Sequence, residues 1–118
     1  MDHRMLVVDD EENICSYLAE LFRLEGWSVD TAYDGMQGVK LASDSNYDVI
    51  IMDILMPHVT GIEATRQIMK RKPESKIIVI TGAPYRKQAE EALSCGARLF
   101  IKKPFSSEKI LQAVESLV

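Results

Sequence analysis

Acidic side chains follow two apolar runs of the sequence, in positions where they could take part in a reaction. Asp53 comes directly after the run 49–52, and the pair Asp9 and Asp10 comes directly after the run 5–8. Both runs are short and contain β-branched residues, which is typical of a buried strand. An aspartate after a strand is also a common turn residue, so a single such position would carry little weight.

Polar side chains end two further apolar runs. Thr81 follows the run 76–80, and Lys103 follows the run 99–101 after one intervening lysine. Turn formation alone would be met by glycine, asparagine or serine at these places. Three carboxylates, one hydroxyl and one ammonium at strand ends therefore indicate a functional set rather than a series of turns.

The side chains of this set suit magnesium-dependent phosphoryl chemistry. Three carboxylates in one crevice repel each other, and at least one would take up a proton unless a cation compensated their charge. Mg²⁺ prefers oxygen ligands and commonly accepts one or two carboxylates together with waters and phosphate oxygens. A carboxylate beside such an ion can attack a phosphoryl group. A lysine can pair with the phosphoryl oxygens, and a threonine hydroxyl can donate to another of them.

The periodicity of the apolar residues predicts five strands that alternate with five helices. The predicted strands are 5–8, 27–32, 49–52, 76–80 and 99–101. The predicted helices are about 13–25, 35–43, 60–72, 85–94 and a last one that Ser107 caps and that reaches Leu117. Met36 and Leu93 are assigned to the inward faces of their helices.

This alternation is typical of an α/β fold with a doubly wound parallel sheet. Five strands in a chain of this length fit a flavodoxin-like (βα)5 fold with strand order 2-1-3-4-5. In such sheets, ligands bind outside the carboxyl ends of the strands, at the point where the strand order reverses. The fold would therefore collect the set at one edge of the sheet: Asp9, Asp10, Asp53, Thr81 and Lys103.

Composition narrows the class of protein. A chain of 118 residues is expected to be one domain, and its net charge of −4 argues against direct binding to nucleic acid. No apolar stretch approaches the length of a membrane span, and the first residues do not resemble a signal peptide. Cys15 and Cys95 fit neither a metal knuckle nor a disulfide framework, so we expect free thiols in a reducing cytoplasm.

The motifs in this order resemble the receiver domain of two-component response regulators. The resemblance covers the whole chain, 1–118, and rests on these motifs: Asp9-Asp10, Asp53-Ile54-Leu55-Met56-Pro57 with Gly61, Thr81-Gly82 and Lys103-Pro104-Phe105. It implies that Asp53 accepts a phosphoryl group from a phosphohistidine on a sensor histidine kinase or a phosphotransfer protein. It also implies that Asp10 and Asp53 hold Mg²⁺ with the backbone carbonyl of Leu55, and that Asp9 acts mainly through water.

The resemblance assigns switch roles to three further residues. Lys103 would pair with the phosphoryl group and form a cis peptide with Pro104, and Thr81 would be the switch hydroxyl. Phe100 falls at the position of the switch aromatic, which turns inward when Thr81 engages the phosphate; a core phenylalanine is the competing interpretation. The surface of the fourth helix, fifth strand and fifth helix would then change and control an output domain or a downstream protein.

Two other functions compete with this one. A phosphatase or phosphotransferase with an aspartate nucleophile would need a second carboxylate two residues after Asp53, and Leu55 stands there. A flavin-binding protein would need a hydroxyl- and glycine-rich loop after the first strand, whereas the acidic run 9–12 would repel the flavin phosphate. We expect a switch that catalyses only its own phosphorylation and dephosphorylation. Whether it stands alone, precedes for example a DNA-binding domain, or forms an isologous dimer stays open.

Overall fold

The computed structural model describes residues 2–82 and 86–118. Five strands alternate with five helices in the order β1 (Arg4–Val8), α1 (Glu12–Leu24), β2 (Ser28–Ala32), α2 (Gly35–Asp44), β3 (Val49–Asp53), α3 (Gly61–Arg71), β4 (Ile77–Thr81), α4 (Arg86–Ser94), β5 (Leu99–Lys102) and α5 (Ser107–Glu115). All pairings are parallel, and the strand order is β2-β1-β3-β4-β5. The predicted flavodoxin-like fold is confirmed.

Helices cover both faces of the sheet, which explains why the central strands β3 and β4 are apolar up to their last residue. Successive side chains of a strand point to opposite faces, so Ile50 and Met52 join a core with α2, α3 and α4. Val49 and Ile51 join a second core with α1 and α5. Every residue of β3 and β4 is buried. The carboxylate of Asp53 and the hydroxyl of Thr81 are therefore carried by the last residues of buried strands.

Three details of the predicted helices need correction. Met36 is 71% exposed because Gly35 takes the inward position, where a Cβ would overlap the backbone of Val59. Leu93 is 39% exposed, since Ala89 and Ala92 fill the inward face of α4. The cap of α5 is Ser106, whose side chain accepts a hydrogen bond from the Lys109 amide.

Tyr85, the predicted first residue of the fourth helix, lies outside the residues that the structure describes. No helix in residues 2–82 and 86–118 combines the length and apolar character needed to cross a lipid bilayer.

The N-terminus of α3 approaches the end of β3 so closely that only glycine fits. The Gly61 amide donates to the Ile54 carbonyl at 2.9 Å, and Thr60 caps the helix by accepting from the Glu63 amide. A Cβ on Gly61 would overlap the carbonyl oxygen of Asp53. The N-terminus of α3 therefore packs against the end of β3, which carries the Asp53 carboxylate.

We expect Gly61→Ala to lower the free energy of unfolding by more than about 2 kcal/mol, because backbone atoms of Asp53 and Ile54 would have to move. Chemical denaturation checks this. Gly82→Ala is the matched control, since a Cβ there meets no atom of the described residues within 4 Å. Equal stability of the two variants would contradict the close approach.

Candidate functional site

The ends of two neighbouring strands gather three carboxylates. Asp9 follows β1 and is fully buried, Asp53 ends β3 with 2% exposure, and Asp10 beside them is exposed. β1 pairs with β3, with Val8 opposite Met52, so the next residue of each strand also lies side by side. One carboxylate oxygen from each of the three aspartates lies within 4.8 Å of the others. The sheet thus forces like charges together.

Lys103 faces this cluster from the other side of β4. Its amide donates to the Thr81 carbonyl at 2.7 Å, which extends the β4–β5 ladder, and the Lys103–Pro104 peptide is cis, as expected. Its Nζ lies 3.1 Å from Asp9 Oδ2 and 3.4 Å from Asp53 Oδ1. The Lys103 side chain is 18% exposed, so its ammonium interacts with both carboxylates in partly desolvated surroundings.

One contact of Lys103 was not anticipated from the sequence. Glu11 Oε1 lies 3.3 Å from Lys103 Nζ, and the Glu11 amide donates to Asp9 Oδ1 at 2.9 Å. In the sequence, Glu11 stands out only as one member of the acidic run 9–12. Which member of such a run turns towards a lysine 92 residues later depends on the folded path of the chain.

Burial and mutual repulsion dominate the electrostatics of the site. Burial first, and then the charge of Asp9, raise the pKa of Asp53 to about 7, although Lys103 acts to lower it. Burial also raises the pKa of Asp9 above its usual value. Burial opposes the charged form of Lys103, yet the charges of Asp53 and Asp9 outweigh this and raise its pKa. The resting site therefore carries more negative charge than Lys103 neutralises.

The residues present fit a hard divalent cation. The donor set consists of carboxylate oxygens, which Mg²⁺ prefers, and the raised pKa of Asp53 is the sign of an uncompensated anion. Leu55 lies two residues beyond Asp53 in the loop before α3, with its side chain half exposed.

The two predicted switch residues lie beside the cluster in different environments. Thr81 is fully buried, and its Oγ1 has no hydrogen-bond partner among the residues that the structure describes. An unpaired buried hydroxyl is unfavourable, so this atom is suited to a ligand oxygen. Phe100 is 39% exposed on the edge strand β5 rather than buried in the core. The core interpretation of Phe100 is therefore wrong, and its switch role stays a prediction.

A family model described as "Response regulator receiver domain" matches residues 5–115. The chain belongs to this family. Response regulator ArlR of Staphylococcus aureus is 33% identical to the receiver over 115 residues, which cover 98% of this chain and 52% of ArlR. Regulatory protein AtoC of Escherichia coli is 34% identical over 108 residues, which cover 92% of this chain and 23% of AtoC. The receiver thus spans about half of one relative and less than a quarter of the other.

A solved structure of a similar protein offers a chemical comparison for the cluster. Response regulator protein TrrA of Thermotoga maritima, in complex with Mg²⁺-BeF, matches with a TM-score of 0.88 at 36% identity. The match covers 98% of this chain and 99% of that one. The two proteins therefore share a backbone arrangement, and the acidic cluster of this receiver offers carboxylate oxygens, which are ligands that Mg²⁺ prefers.

The raised pKa of Asp53 predicts a stability that falls as pH rises. Between the unfolded value of 3.8 and the folded value of about 7, the folded state holds a proton that the unfolded state has lost. In metal-free buffer, we expect Asp53→Asn to be more stable than wild type at pH 8, by at most about 4 kcal/mol. The gain should be smaller at pH 5.

Urea denaturation with a chelator present, at the two pH values, measures this difference. Asp44→Asn is the control, because the Asp44 side chain is 60% exposed and forms only a surface pair with Lys40. Its effect should be small at both pH values. A wild type more stable than Asp53→Asn at pH 8 would mean that the Lys103 pairing outweighs burial.

Proposed function

We propose that residues 1–118 form one receiver domain that works as a phosphorylation-controlled switch, with Asp53 as the phosphoacceptor. The observation that carries this proposal is the position of Asp53. It ends a fully buried strand, its carboxylate lies among two others, and the ammonium of Lys103 is 3.4 Å away. The donor would be a phosphohistidine on a sensor histidine kinase or a phosphotransfer protein.

The transfer itself needs little covalent chemistry from the protein. A carboxylate oxygen of Asp53 forms the new bond to phosphorus, while the phosphorus–nitrogen bond to the donor histidine breaks. The electron pair of the broken bond returns to the imidazole. Lys103 orients the phosphoryl group by pairing with its oxygens, as an ammonium does with phosphate. The aspartyl phosphate is the product, and water later hydrolyses it.

Mg²⁺ is the cofactor of this proposal. Asp10 and Asp53 would hold it with the backbone carbonyl of Leu55, and Asp9 would act through a water. When bound, the ion supplies positive charge to the oxygens of the transferring group. The uncompensated charge of the three carboxylates, rather than any single residue, supports this assignment.

The output of the switch starts at Thr81. A phosphoryl group brings about two negative charges and three acceptor oxygens, and the unpartnered hydroxyl of Thr81 can donate to one of them. Phe100, two strand positions before Lys102 on β5, would then turn inward. The surface of α4, β5 and α5 would change as a result and alter the binding of an output domain or partner.

Receiver domains of response regulators act with histidine kinases and output domains, and this chain spans only part of its curated relatives. We propose that this receiver acts in the cytoplasm and on protein partners rather than on nucleic acid. Turnover of external phosphate esters is disfavoured, because the half-exposed Leu55 offers no acid two residues after Asp53. The function is thus a binding switch that modifies only itself.

Mass spectrometry after incubation with acetyl phosphate and Mg²⁺ tests the phosphoacceptor. We expect one added phosphoryl group on wild type, none on Asp53→Asn, and none when Mg²⁺ is chelated beforehand. An adduct that persists in Asp53→Asn would move the acceptor to another residue. If wild type gains no phosphoryl group, this receiver is not controlled by phosphorylation. The surface of α4, β5 and α5 would then be a constitutive binding surface.

Two buried threonines provide a matched test of the switch hydroxyl. Oγ1 of Thr81 and of Thr65 both lack a hydrogen-bond partner in the described ranges, and both residues are fully buried. Valine replaces the hydroxyl with a methyl group, so Thr81→Val and Thr65→Val should each stabilise the resting protein by about 1 kcal/mol. Only Thr81→Val should weaken the change in β5 and α5.

Amide chemical shifts recorded with and without Mg²⁺ and beryllofluoride report that change. Wild type and Thr65→Val should show shifts in β5 and α5, and Thr81→Val should lose most of them. A complete response in Thr81→Val would remove Thr81 from the switch.

A further inference from the structure

The ammonium of Lys103 is shared among three carboxylates rather than two. Its Nζ lies 3.1 Å from Asp9 Oδ2, 3.3 Å from Glu11 Oε1 and 3.4 Å from Asp53 Oδ1. Of its three N–H donors, two are taken up by hydrogen bonds to Asp9 and Glu11, while Asp53 Oδ1 lies within ion-pair distance. A phosphoryl oxygen on Asp53 therefore competes with the Asp9 and Glu11 carboxylates for the ammonium.

The position of Glu11 at the start of α1 does not by itself explain why a glutamate stands there. Glu11 is the N-cap residue of α1, where serine, threonine, aspartate or asparagine is preferred. Its side chain makes no capping hydrogen bond. Instead the carboxylate reaches across to Lys103, which lies after the last strand of the sheet. The contact with Lys103, rather than capping of α1, therefore gives Glu11 a role.

We propose that Glu11 is a positioning residue that holds Lys103 in the resting site and competes with the phosphoryl group for it. The inference rests on the proposed function, because it assumes that Lys103 pairs with a phosphoryl group on Asp53. Glu11 touches neither the reacting oxygen nor the phosphorus. It acts through Lys103, and it sets how readily that ammonium is available.

Exposure decides which carboxylate gives up the ammonium. Asp9 is fully buried, and a buried carboxylate left without its cation is strongly unfavourable. The Glu11 side chain is 63% exposed, so water can replace the lysine at low cost. Glu11 is thus the partner that can be exchanged, while Asp9 keeps Lys103 at the site in both states.

Removal of this competitor should strengthen the phosphorylated state. In Glu11→Gln, Lys103 no longer has to leave a carboxylate, and the site carries one negative charge fewer near the phosphoryl oxygens. An exposed ion pair of this kind corresponds to a change of about two- to five-fold in an equilibrium constant. A merely structural defect at Glu11 would lower the affinity for a phosphoryl mimic, whereas the competition raises it.

The test is the affinity of the whole chain for beryllofluoride at saturating Mg²⁺, measured by ¹⁹F NMR or calorimetry. Glu11→Gln should bind about two- to five-fold more tightly than wild type. Glu12→Gln is the matched control, because Glu12 is the exposed neighbour in the first turn of α1 and its loss changes the net charge equally. Its affinity should stay at the wild-type value.

Glu11→Asp separates the contact from the charge, since it keeps the carboxylate but shortens its reach. Tighter binding by Glu11→Asp as well supports the contact with Lys103. Tightening by Glu11→Gln alone, or equal tightening by Glu12→Gln, would assign the effect to charge at a distance and overturn the proposal. Unchanged or weaker binding by Glu11→Gln would overturn it too, while the proposed function stands. A wild type that binds no beryllofluoride would contradict the proposed function itself.

Discussion

Repulsion among buried carboxylates is the constraint on which the rest of this site depends. Asp9 follows β1 and Asp53 ends β3, and the parallel pairing of these two strands holds the two carboxylates close together. In the described part of the chain, Lys103 is the only basic side chain within ion-pair distance of either. A positively charged ligand would compensate this repulsion, which is the role that the proposed function gives to Mg²⁺.

The same packing that builds the fold creates this electrostatic strain. β3 is covered on both faces by helices, so its first four residues are apolar and its last residue, Asp53, is removed from water. Desolvation is the largest cause of the raised pKa of Asp53, ahead of the charge of Asp9. The burial that stabilises the sheet thus also raises the energy of the ionised carboxylate. A bound cation would restore the ionised form that a nucleophile requires.

The fold and the composition of the site could be predicted from sequence because both follow from short patterns. Apolar runs mark the strands, and the polar residues after them mark one edge of a parallel sheet. Which residue of α2 faces inward could not be predicted this way, because the inward position of Gly35 depends on its close approach to the backbone of Val59. The contact of Glu11 with Lys103 joins residues that are distant in sequence, and the choice of partner is a matter of side-chain reach. The exposure of Phe100 follows from the edge position of β5, which the predicted strand order already contained.

The resting site has two deficits that one group can remove together. The positive charge of Lys103 does not offset the burial of Asp53, and within residues 2–82 and 86–118 the hydroxyl of Thr81 has no hydrogen-bond partner. A phosphoryl group held with its cation supplies both, because it brings acceptor oxygens to the hydroxyl and a counter-charge to the carboxylates. A ligand can shift a conformational equilibrium only by its differential affinity for the two states. Under the proposed function, that difference would arise at the Thr81 hydroxyl, which has no hydrogen-bond partner among the described residues and would gain one in a phosphoryl oxygen.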